Sequence, residues 1–455
     1  MKNKFALYTA VVVLVLATLA CGTTTVTPPT STPLPPPTAT NPPVVQSDAL
    51  TITSTNAFVD ASGTYHVVGE VSNTGSTPLT SIELTLEIKD ASGNSLLQDD
   101  SGNVAPNTTL SPMLFTLAPG EASPFEYSYD TSKGTPASYN VTVTGQQTGS
   151  ANRAALKQEN VSLVDDGSGW YYLTGELVNT STQWAHINSL AGGVLDASGN
   201  LLSADLTSTY ATELAPAGDA DGLDRTPFEI NFPNPGASTQ WALYWDADTA
   251  DNVTGYPMSI SVTNSYFDEN GSAHLVGWLT NNYTDALTSL VVAGLYAQDG
   301  TALDASYAFV PVTIKPDAKV PFSVSSFGSV DHIAAQAALV NSYSAQPDTW
   351  FTYPPSADSV DLSATGETVQ KDGSAWTFNG NVTNSSTKSL KSATVMVLVK
   401  DASGTLVAME YTTIYPSGDA IAVGEKNSYS LTIYLDPKAD TTGYTTTTIV
   451  VGEVK

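Results

Sequence analysis

The feature that most constrains this chain is a segment of about 103 residues that occurs four times within its 455 residues. Each copy contains a landmark glycine and, four positions later, an asparagine. The glycines are Gly69, Gly175, Gly277 and Gly380, and the asparagines are Asn73, Asn179, Asn281 and Asn384. Landmarks that keep their offsets within one chain indicate internal duplication, so all four copies are predicted to share one fold.

Two further landmarks follow each glycine. The first is a turn glycine, found as Gly93, Gly199, Gly300 and Gly404. It lies 24 positions after the landmark glycine in the first, second and fourth copies and 23 positions after it in the third. The first three copies then carry Pro-Phe, and the fourth has Ser-Tyr, at Pro124-Phe125, Pro227-Phe228, Pro321-Phe322 and Ser428-Tyr429. In the turn Asp-Ala-Ser-Gly, the Asp side chain caps the backbone and the Gly adopts a left-handed conformation, so we interpret these turns as structural.

Apolar and polar residues alternate over short runs in every copy. In the segment TSIELTLEIKD, Ile82, Leu84, Leu86 and Ile88 share one side. This alternation, with turn signals every 8–12 residues, predicts antiparallel strands with one buried face. About seven strands in about 100 residues fit an immunoglobulin-like sandwich. The sequence therefore predicts an all-β fold of four tandem immunoglobulin-like antiparallel β-sandwich domains. The alanine-rich segment Ala334–Val340 occupies the position of the last strand in the third copy.

Each copy is long enough to own a core, which favours separate beads over a solenoid with a shared core. The predicted domains are residues 48–150, 151–257, 258–355 and 356–455, which we call repeats 1 to 4. They follow a segment, 21–47, that is dense in Pro and Thr. Such a composition predicts a disordered linker in extended, polyproline-like conformations, able to act as a spacer.

The N-terminus predicts export. Lys2 and Lys4 precede the apolar run Phe5–Ala20, which is followed by Cys21, the one cysteine of the chain. This order is typical of a secretory signal peptide over residues 1–20. The small residue before the cysteine resembles the lipobox of bacterial lipoproteins, and the resemblance implies that Cys21 becomes lipid-modified and anchors the chain to the cell membrane. A retained anchor helix and simple secretion are the alternatives.

The charge balance excludes one class of partner. Sixteen basic and 44 acidic residues give a net charge of −28. Nucleic-acid affinity needs cationic side chains that displace counterions, so no nucleic-acid binding is expected. The acidic surface has two other interpretations, which are solubility of a long exposed chain and binding of divalent cations or basic partners.

A family resemblance appears in the repeats. Leu86–Asp90 and Val397–Asp401 each read apolar-x-apolar-x-Asp, and repeat 1 continues with PGE and then Pro-Phe. This pattern resembles the FxLYD domain of bacterial surface proteins. The resemblance implies an extracytoplasmic β-sandwich, and the family offers no catalytic residues to transfer.

Two acidic segments in repeat 2 are candidates for a Ca²⁺ site, because closely spaced aspartates in a loop can supply several of the six to eight oxygens that Ca²⁺ needs. The candidate metal ligands are Asp219, Asp221, Asp224, Asp246, Asp248 and Asp251. Neither segment follows the EF-hand pattern. The alternative is that these are solvated loops of an acidic protein.

Four aromatic residues are candidates for ligand binding, because exposed rings can stack on sugars. They are Trp241, Trp245, Trp350 and Tyr353. The alternative is that they fill a sandwich core or a junction between domains.

No sequence motif for catalysis is present. His66 and His274 share one repeat position, which Tyr172 and Thr377 occupy in the other copies, so we expect a surface or partly buried site. The predicted function is non-enzymatic: a membrane-anchored surface lipoprotein whose sandwiches form a rod for adhesion, display or envelope structure. The alternative is a surface protein that binds carbohydrate or another substrate through exposed aromatics, and a third class is an enzyme with a site spread across domains. The expected partners are the membrane and a surface protein or glycan.

Overall fold

The computed structural model describes residues 49–236, 238, 240–250, 256–355 and 357–455. The predicted signal peptide, Cys21 and the Pro/Thr linker lie outside these residues. Strands dominate the described part, and the predicted all-β class is confirmed. A 3₁₀ helix spans Thr131–Lys133, and two short helices span Gly328–His332 and Ala334–Ala337. Within the described residues, no helix has the length and apolar character needed to cross a bilayer.

Repeat 1 consists of two antiparallel sheets. Its strands are β1 Leu50–Val59, β2 Thr64–Asn73, β3 Leu79–Lys89, β4 Thr108–Leu110, β5 Thr116–Leu117, β6 Ala122–Asp130 and β7 Ser138–Thr148. One sheet has the order β1-β2-β6. In the other sheet, β3 pairs with β7 on one side and with the short strands β4 and β5 on the other.

Repeat 2 has the same arrangement. Its strands are β8 Leu156–Asp165, β9 Trp170–Asn179, β10 Trp184–Leu195, β11 Leu201–Thr207, β12 Glu213–Leu214, β13 Arg225–Pro233 and β14 Gln240–Ala250. The first sheet is β8-β9-β13, and the second has β10 between β14 and the pair β11 and β12.

Repeats 3 and 4 follow the same plan. The strands of repeat 3 are β15 Met258–Phe267, β16 Ala273–Asn281, β17 Leu290–Tyr296, β18 Ala302–Phe309, β19 Lys319–Val324 and β20 Ser342–Pro347. Those of repeat 4 are β21 Ser359–Leu362, β22 Ala364–Asp372, β23 Ala375–Thr383, β24 Leu390–Lys400, β25 Leu406–Ile414, β26 Lys426–Tyr434 and β27 Thr445–Val454. The sheets β15-β16-β19 and β22-β23-β26 correspond to the first sheet of repeat 1, and β18-β17-β20 and β25-β24-β27 correspond to the second.

The landmark glycine leaves room for the aromatic ring of the Pro-Phe motif. Gly277 lies directly opposite Phe322 on the neighbouring strand, and Gly380 lies opposite Tyr429. A Cβ added at Gly277 would come within 2.7 Å of the Phe322 ring. The equivalent pairs, Gly69 with Phe125 and Gly175 with Phe228, have the same register. The two landmarks recur together because the glycine, which has no side chain, leaves the space that the aromatic ring fills.

The landmark asparagine is a buried tie between loops. The Nδ2 of Asn281 donates to the carbonyl oxygens of Asp285, at 2.8 Å, and Ile314, at 2.9 Å. Its Oδ1 accepts from the backbone N–H of Tyr283 at 2.8 Å. Equivalent bonds surround Asn73, Asn179 and Asn384. Buried backbone groups need partners, and this one side chain satisfies three of them in each repeat.

The Asp-Ala-Ser-Gly segments form turns as predicted. The Asp90 carboxylate accepts from the backbone N–H groups of Ser92 and Asn94, and Asp401 accepts from Ser403 and Thr405. The glycine of the first turn has φ = 84°, which is the left-handed region that glycine adopts without strain.

Buried residues of neighbouring repeats pack together across the junctions between them. The first sheet of repeat 1 packs against β11 of repeat 2, that of repeat 2 against β18, and that of repeat 3 against β25. Leu201 and Ala204 belong to the same apolar cluster as the core of repeat 1. A single cluster likewise contains the cores of repeats 3 and 4. Whether each repeat folds alone stays a prediction.

The residue after each of the first three landmark glycines makes a contact across these junctions. Glu70 accepts a hydrogen bond from Tyr244 of repeat 2 at 2.8 Å. Glu176 accepts one from Tyr296 of repeat 3 at 3.0 Å. The Trp278 ring lies 5.9 Å from Nζ of Lys400 in repeat 4. One repeat position thus faces the next repeat each time, although the chemistry of the contact changes.

The segment Ala334–Val340 differs from the prediction. It contains the short helix Ala334–Ala337, and the last strand of repeat 3 begins at Ser342. The reason is local, since alanine is the strongest helix former and the segment lacks the β-branched alternation of its counterparts.

Candidate functional site

The first acidic segment folds onto itself. Asp219 Oδ2 accepts from the backbone N–H groups of Asp221 and Leu223, both at 3.1 Å. Asp224 Oδ2 accepts from the N–H of Gly218 at 2.9 Å. These carboxylates therefore organise the loop before β13, as Asp residues commonly do in turns.

The second acidic segment surrounds an arginine. Asp246 is 1% exposed, and its Oδ1 lies 2.5 Å from Nη1 of Arg153. Asp248 Oδ1 lies 3.2 Å from the same atom, and Glu121 of repeat 1 pairs with Nη2 at 2.7 Å. Asp246 Oδ2 also accepts from the N–H of Thr116, at 2.9 Å. This network joins repeats 1 and 2, and the positive charge that the carboxylates surround is the guanidinium group of Arg153.

The structure does not bring the two acidic segments into one site. In the described part of the chain, no group of three or more His, Cys, Asp or Glu side chains is arranged to hold a metal ion. Asp251 lies outside the described residues. A Ca²⁺ site in either segment stays a prediction.

Two of the four candidate aromatics pack inward. Trp241 and Trp245 lie on β14, partly buried against the apolar core of repeat 2. Tyr244, on the opposite face of the strand, packs against the core of repeat 1. This placement matches the core and junction alternative for this segment.

The other two candidate aromatics are exposed. Trp350 is 58% exposed and Tyr353 is 48% exposed. The Trp350 ring lies 4.6 Å from that of His186, so it also contributes to the junction between repeats 2 and 3. Tyr353 pairs through its backbone with Thr288.

His66 is buried rather than at the surface. It is 4% exposed, and its Nδ1 lies 2.6 Å from Glu126 Oε1 while its Nε2 lies 3.2 Å from Asp60 Oδ2. Burial alone would lower the pKa of His66, but the hydrogen bond and the charge of Glu126 outweigh it and raise that pKa above its ordinary value. Both ring nitrogens are therefore paired with carboxylates of repeat 1.

Two carboxyl groups, the partly buried Glu229 and the fully buried Asp304, lie at the junction of repeats 2 and 3. The backbone N–H of Ser329 donates to Glu229 Oε2 at 3.2 Å. Burial, followed by the charge of Asp304, raises the pKa of Glu229 well above its ordinary value. The backbone N–H of Val330 donates to Asp304 at 2.6 Å. Burial also raises the pKa of nearby Asp331 to about 6.

Next to this pair, the surface contains a cleft formed by repeats 2, 3 and 4, which we call the three-repeat cleft. Its volume is about 750 Å³. Repeat 2 contributes Thr209 and Glu229, and repeat 4 contributes Glu410 to Thr413. Repeat 3 contributes residues 305–309 of β18 together with Ser323, Ser325 and Ser326. Burial raises the pKa of Glu410 above its ordinary value.

Aromatic rings continue from this cleft along the surface. Phe309, which is 53% exposed, lies with its ring 6.1 Å from that of Tyr307 and 6.1 Å from that of Phe351, in edge-to-face geometry. Tyr411 lines the cleft from the side of repeat 4. Tyr307, Phe309 and Tyr411 were not among the candidates predicted from the sequence. A signal was available, since Tyr307 and Phe309 share one face of a strand with alternating residues, but nothing in the sequence places repeat 4 beside that face.

Comparisons with known proteins leave the family open. No protein-family model matches the chain, and no curated protein matches it. Among solved structures, it aligns with red sea bream transglutaminase at 12% identity and a TM-score of 0.16, covering 42% of this chain and 31% of that one. The E. coli alpha-2-macroglobulin aligns at 8% identity and a TM-score of 0.13, over 88% and 28% of the two chains.

A calcium-binding mutant of Bacteroides uniformis beta-glucuronidase 2 aligns at 10% identity and a TM-score of 0.12, over 57% and 28%. The chain thus spans less than a third of the length of each of these structures. Scores this low transfer neither fold nor activity.

Proposed function

We propose that the chain is a non-enzymatic lipoprotein, anchored through Cys21 to the outer side of the cell membrane, with its repeats forming a rod for adhesion, display or envelope structure. The Pro/Thr segment 21–47 acts as the spacer between the anchor and the rod. The β-sandwiches are consistent with immunoglobulin-like domains, and we assign them to the FxLYD type that the sequence resembles.

The observation that carries this proposal is the junction that recurs between successive repeats. Each junction buries apolar side chains or carboxyl groups, and the first and third junctions add hydrogen bonds from equivalent positions. Asn56 donates to the carbonyl oxygen of Leu202, and Asn264, at the same repeat position, donates to that of Val407. Domains move relative to one another by default unless the interface between them is large and apolar. Junctions of this kind favour a stiff array.

The histidines also support a non-enzymatic role. His66 is enclosed by two carboxylates, and His274 lies 3.2 Å from Asp268 with its ring stacked on Tyr266. His186 is paired with Glu213 at 2.6 Å. In each of the three, a ring nitrogen is paired with a carboxylate, and the Ser128 hydroxyl near His66 also donates to Glu126.

The anchor is tested by fractionating cells that express the wild type or Cys21→Ser. We expect the wild type in the membrane fraction, labelled by radioactive palmitate and by a reagent that cannot cross membranes. Cys21→Ser should lose the palmitate and leave the membrane, whereas Thr25→Ser, in the linker, should behave as the wild type. Membrane retention of Cys21→Ser would instead indicate a retained anchor helix.

Stiffness is tested with spin labels, since the chain has only one cysteine to remove. In the Cys21→Ser background, Ser101→Cys and Ser198→Cys place labels on exposed turns of repeats 1 and 2. A rod predicts a narrow distribution of distances between the labels. A broad distribution would show hinged beads and would contradict the rod.

A further inference from the structure

We propose that the three-repeat cleft is a binding site for a neutral polysaccharide, with Tyr307, Phe309 and Tyr411 as stacking surfaces for sugar rings. A rod for adhesion, display or envelope structure needs no such ligand, so this proposal goes beyond the proposed function. It also does not depend on whether Cys21 anchors the chain.

The aromatic groups provide the apolar part of such a site. Sugar rings have apolar C–H faces, and exposed aromatic rings offer a complementary flat surface. In a soluble protein, large apolar side chains that remain exposed together mark interaction sites more often than isolated ones do. Phe309 contacts both Tyr307 and Phe351 edge to face, with ring planes 85–87° apart, so each ring offers its own separate face to a sugar unit.

The polar lining provides the hydrogen bonds. Seven serine and threonine residues line the cleft, together with the carboxyl groups of Glu229 and Glu410. Hydroxyl groups both donate and accept, and carboxyl oxygens accept, so the lining can pair with the hydroxyl groups of a sugar in either direction. Glu410 Oε1 is held by the backbone N–H of Tyr411 at 2.9 Å, which fixes the carboxyl group at the cleft.

Charge and conformation narrow the ligand class further. No lysine, arginine or histidine lies among the residues that line the cleft, and the chain carries a net charge of −28, so anionic polymers are disfavoured. The volume of about 750 Å³ lies in the range of ligand pockets, about 300–1,000 Å³. Ser326, on the wall, has a left-handed backbone with φ = 64°, and Ser306 Oγ donates to the carbonyl of Ser325 at 2.8 Å. Strained residues held in place by neighbours occur preferentially at binding sites.

The test is calorimetric titration of the full-length chain in detergent with neutral hexasaccharides of glucose, xylose and N-acetylglucosamine, and with polygalacturonate as the anionic comparison. We expect at least one neutral hexasaccharide to bind and polygalacturonate to remain silent. Phe309→Ala should weaken binding about tenfold, the effect typical of an aromatic anchor. Glu410→Gln, which keeps the shape of the side chain, should weaken it less.

The matched control is Phe115→Ala, because Phe115 is 64% exposed in repeat 1 and lies outside the cleft. This variant should bind as the wild type does. The proposal is overturned if no neutral hexasaccharide binds at millimolar concentration, if Phe309→Ala binds as Phe115→Ala does, or if polygalacturonate or an apolar peptide binds in preference. Circular dichroism of Phe309→Ala, compared with the wild type, separates lost binding from lost folding. None of these outcomes depends on where the chain is anchored.

Discussion

Replacing a landmark glycine by alanine should destabilise its repeat to a degree that the surroundings determine. At Gly277, an added Cβ would lie 2.5 Å from the backbone oxygen of Ser261 and 2.7 Å from the ring of Phe322. At Gly380, the three nearest atoms all belong to the Tyr429 side chain, at 2.7–2.8 Å. A side chain can move aside, whereas a backbone oxygen in a sheet cannot move without breaking its ladder.

Overpacking costs typically about 1–3 kcal/mol. We place Gly277→Ala at the upper end, about 3 kcal/mol, and Gly380→Ala at about 1 kcal/mol. The control is Gly418→Ala, where the added Cβ meets no atom within 4 Å, and its effect should lie within about 0.5 kcal/mol.

Hydrogen exchange followed by mass spectrometry suits this measurement, because it reports each repeat separately and a four-repeat chain need not unfold in two states. A loss of about 3 kcal/mol corresponds to an increase in exchange rate of about a hundredfold in peptides from β16. The reasoning is refuted if Gly277→Ala exchanges as slowly as Gly418→Ala does. A second check is Gly380→Ala combined with Tyr429→Leu, whose joint cost should be less than the sum of the two single costs.

Three further predictions follow from buried polar groups and acidic loops. Asn281→Ala leaves three backbone groups without partners, so it should lower the free energy of unfolding in urea by about 3 kcal/mol. The control variant Asn282→Ala, at the exposed neighbouring residue, should lower it little. Equal effects of the two variants would contradict the role of the landmark asparagine. Burial raises the pKa of Asp205 and Asp331 to about 6, so protonation of either carboxyl group favours the folded state. The melting temperature should therefore fall as the pH rises from 5 to 7, and it should fall less in Asp205→Asn. An unchanged pH profile in that variant would contradict the assignment. If either acidic segment binds Ca²⁺, excess EDTA should lower the melting temperature of calcium-treated protein, and an unchanged midpoint would remove the calcium prediction.

The local features of the fold could be predicted because their causes lie close together in sequence. The alternation of Ile82, Leu84, Leu86 and Ile88 predicted a strand with one buried face, and these residues lie in β3 with their side chains buried. The exception is Ala334–Val340, where position within the repeat suggested a strand and the local preference for helix prevailed.

The candidate site was much less predictable. Trp241 and Trp245 are residue types that often bind sugars, but they pack against the core of their own repeat. An aromatic residue in a strand has the same sequence pattern whether its ring is exposed or faces a core. Phe309 and Tyr411 are about a hundred residues apart and meet at one cleft only because repeat 4 packs beside β18.

The sequence by itself determined the strands, the capped turns, and the fourfold recurrence of one plan. These depend on alternation and turn chemistry within about a hundred residues. Only the tertiary structure decided which outer faces of those sheets are covered. Alternation separates the two faces of a strand, but it cannot distinguish a face in water from a face against the next repeat. The contacts of Glu70 with Tyr244 and of Glu176 with Tyr296 therefore appear only when the repeats are packed, because polar residues at both positions are equally compatible with solvent.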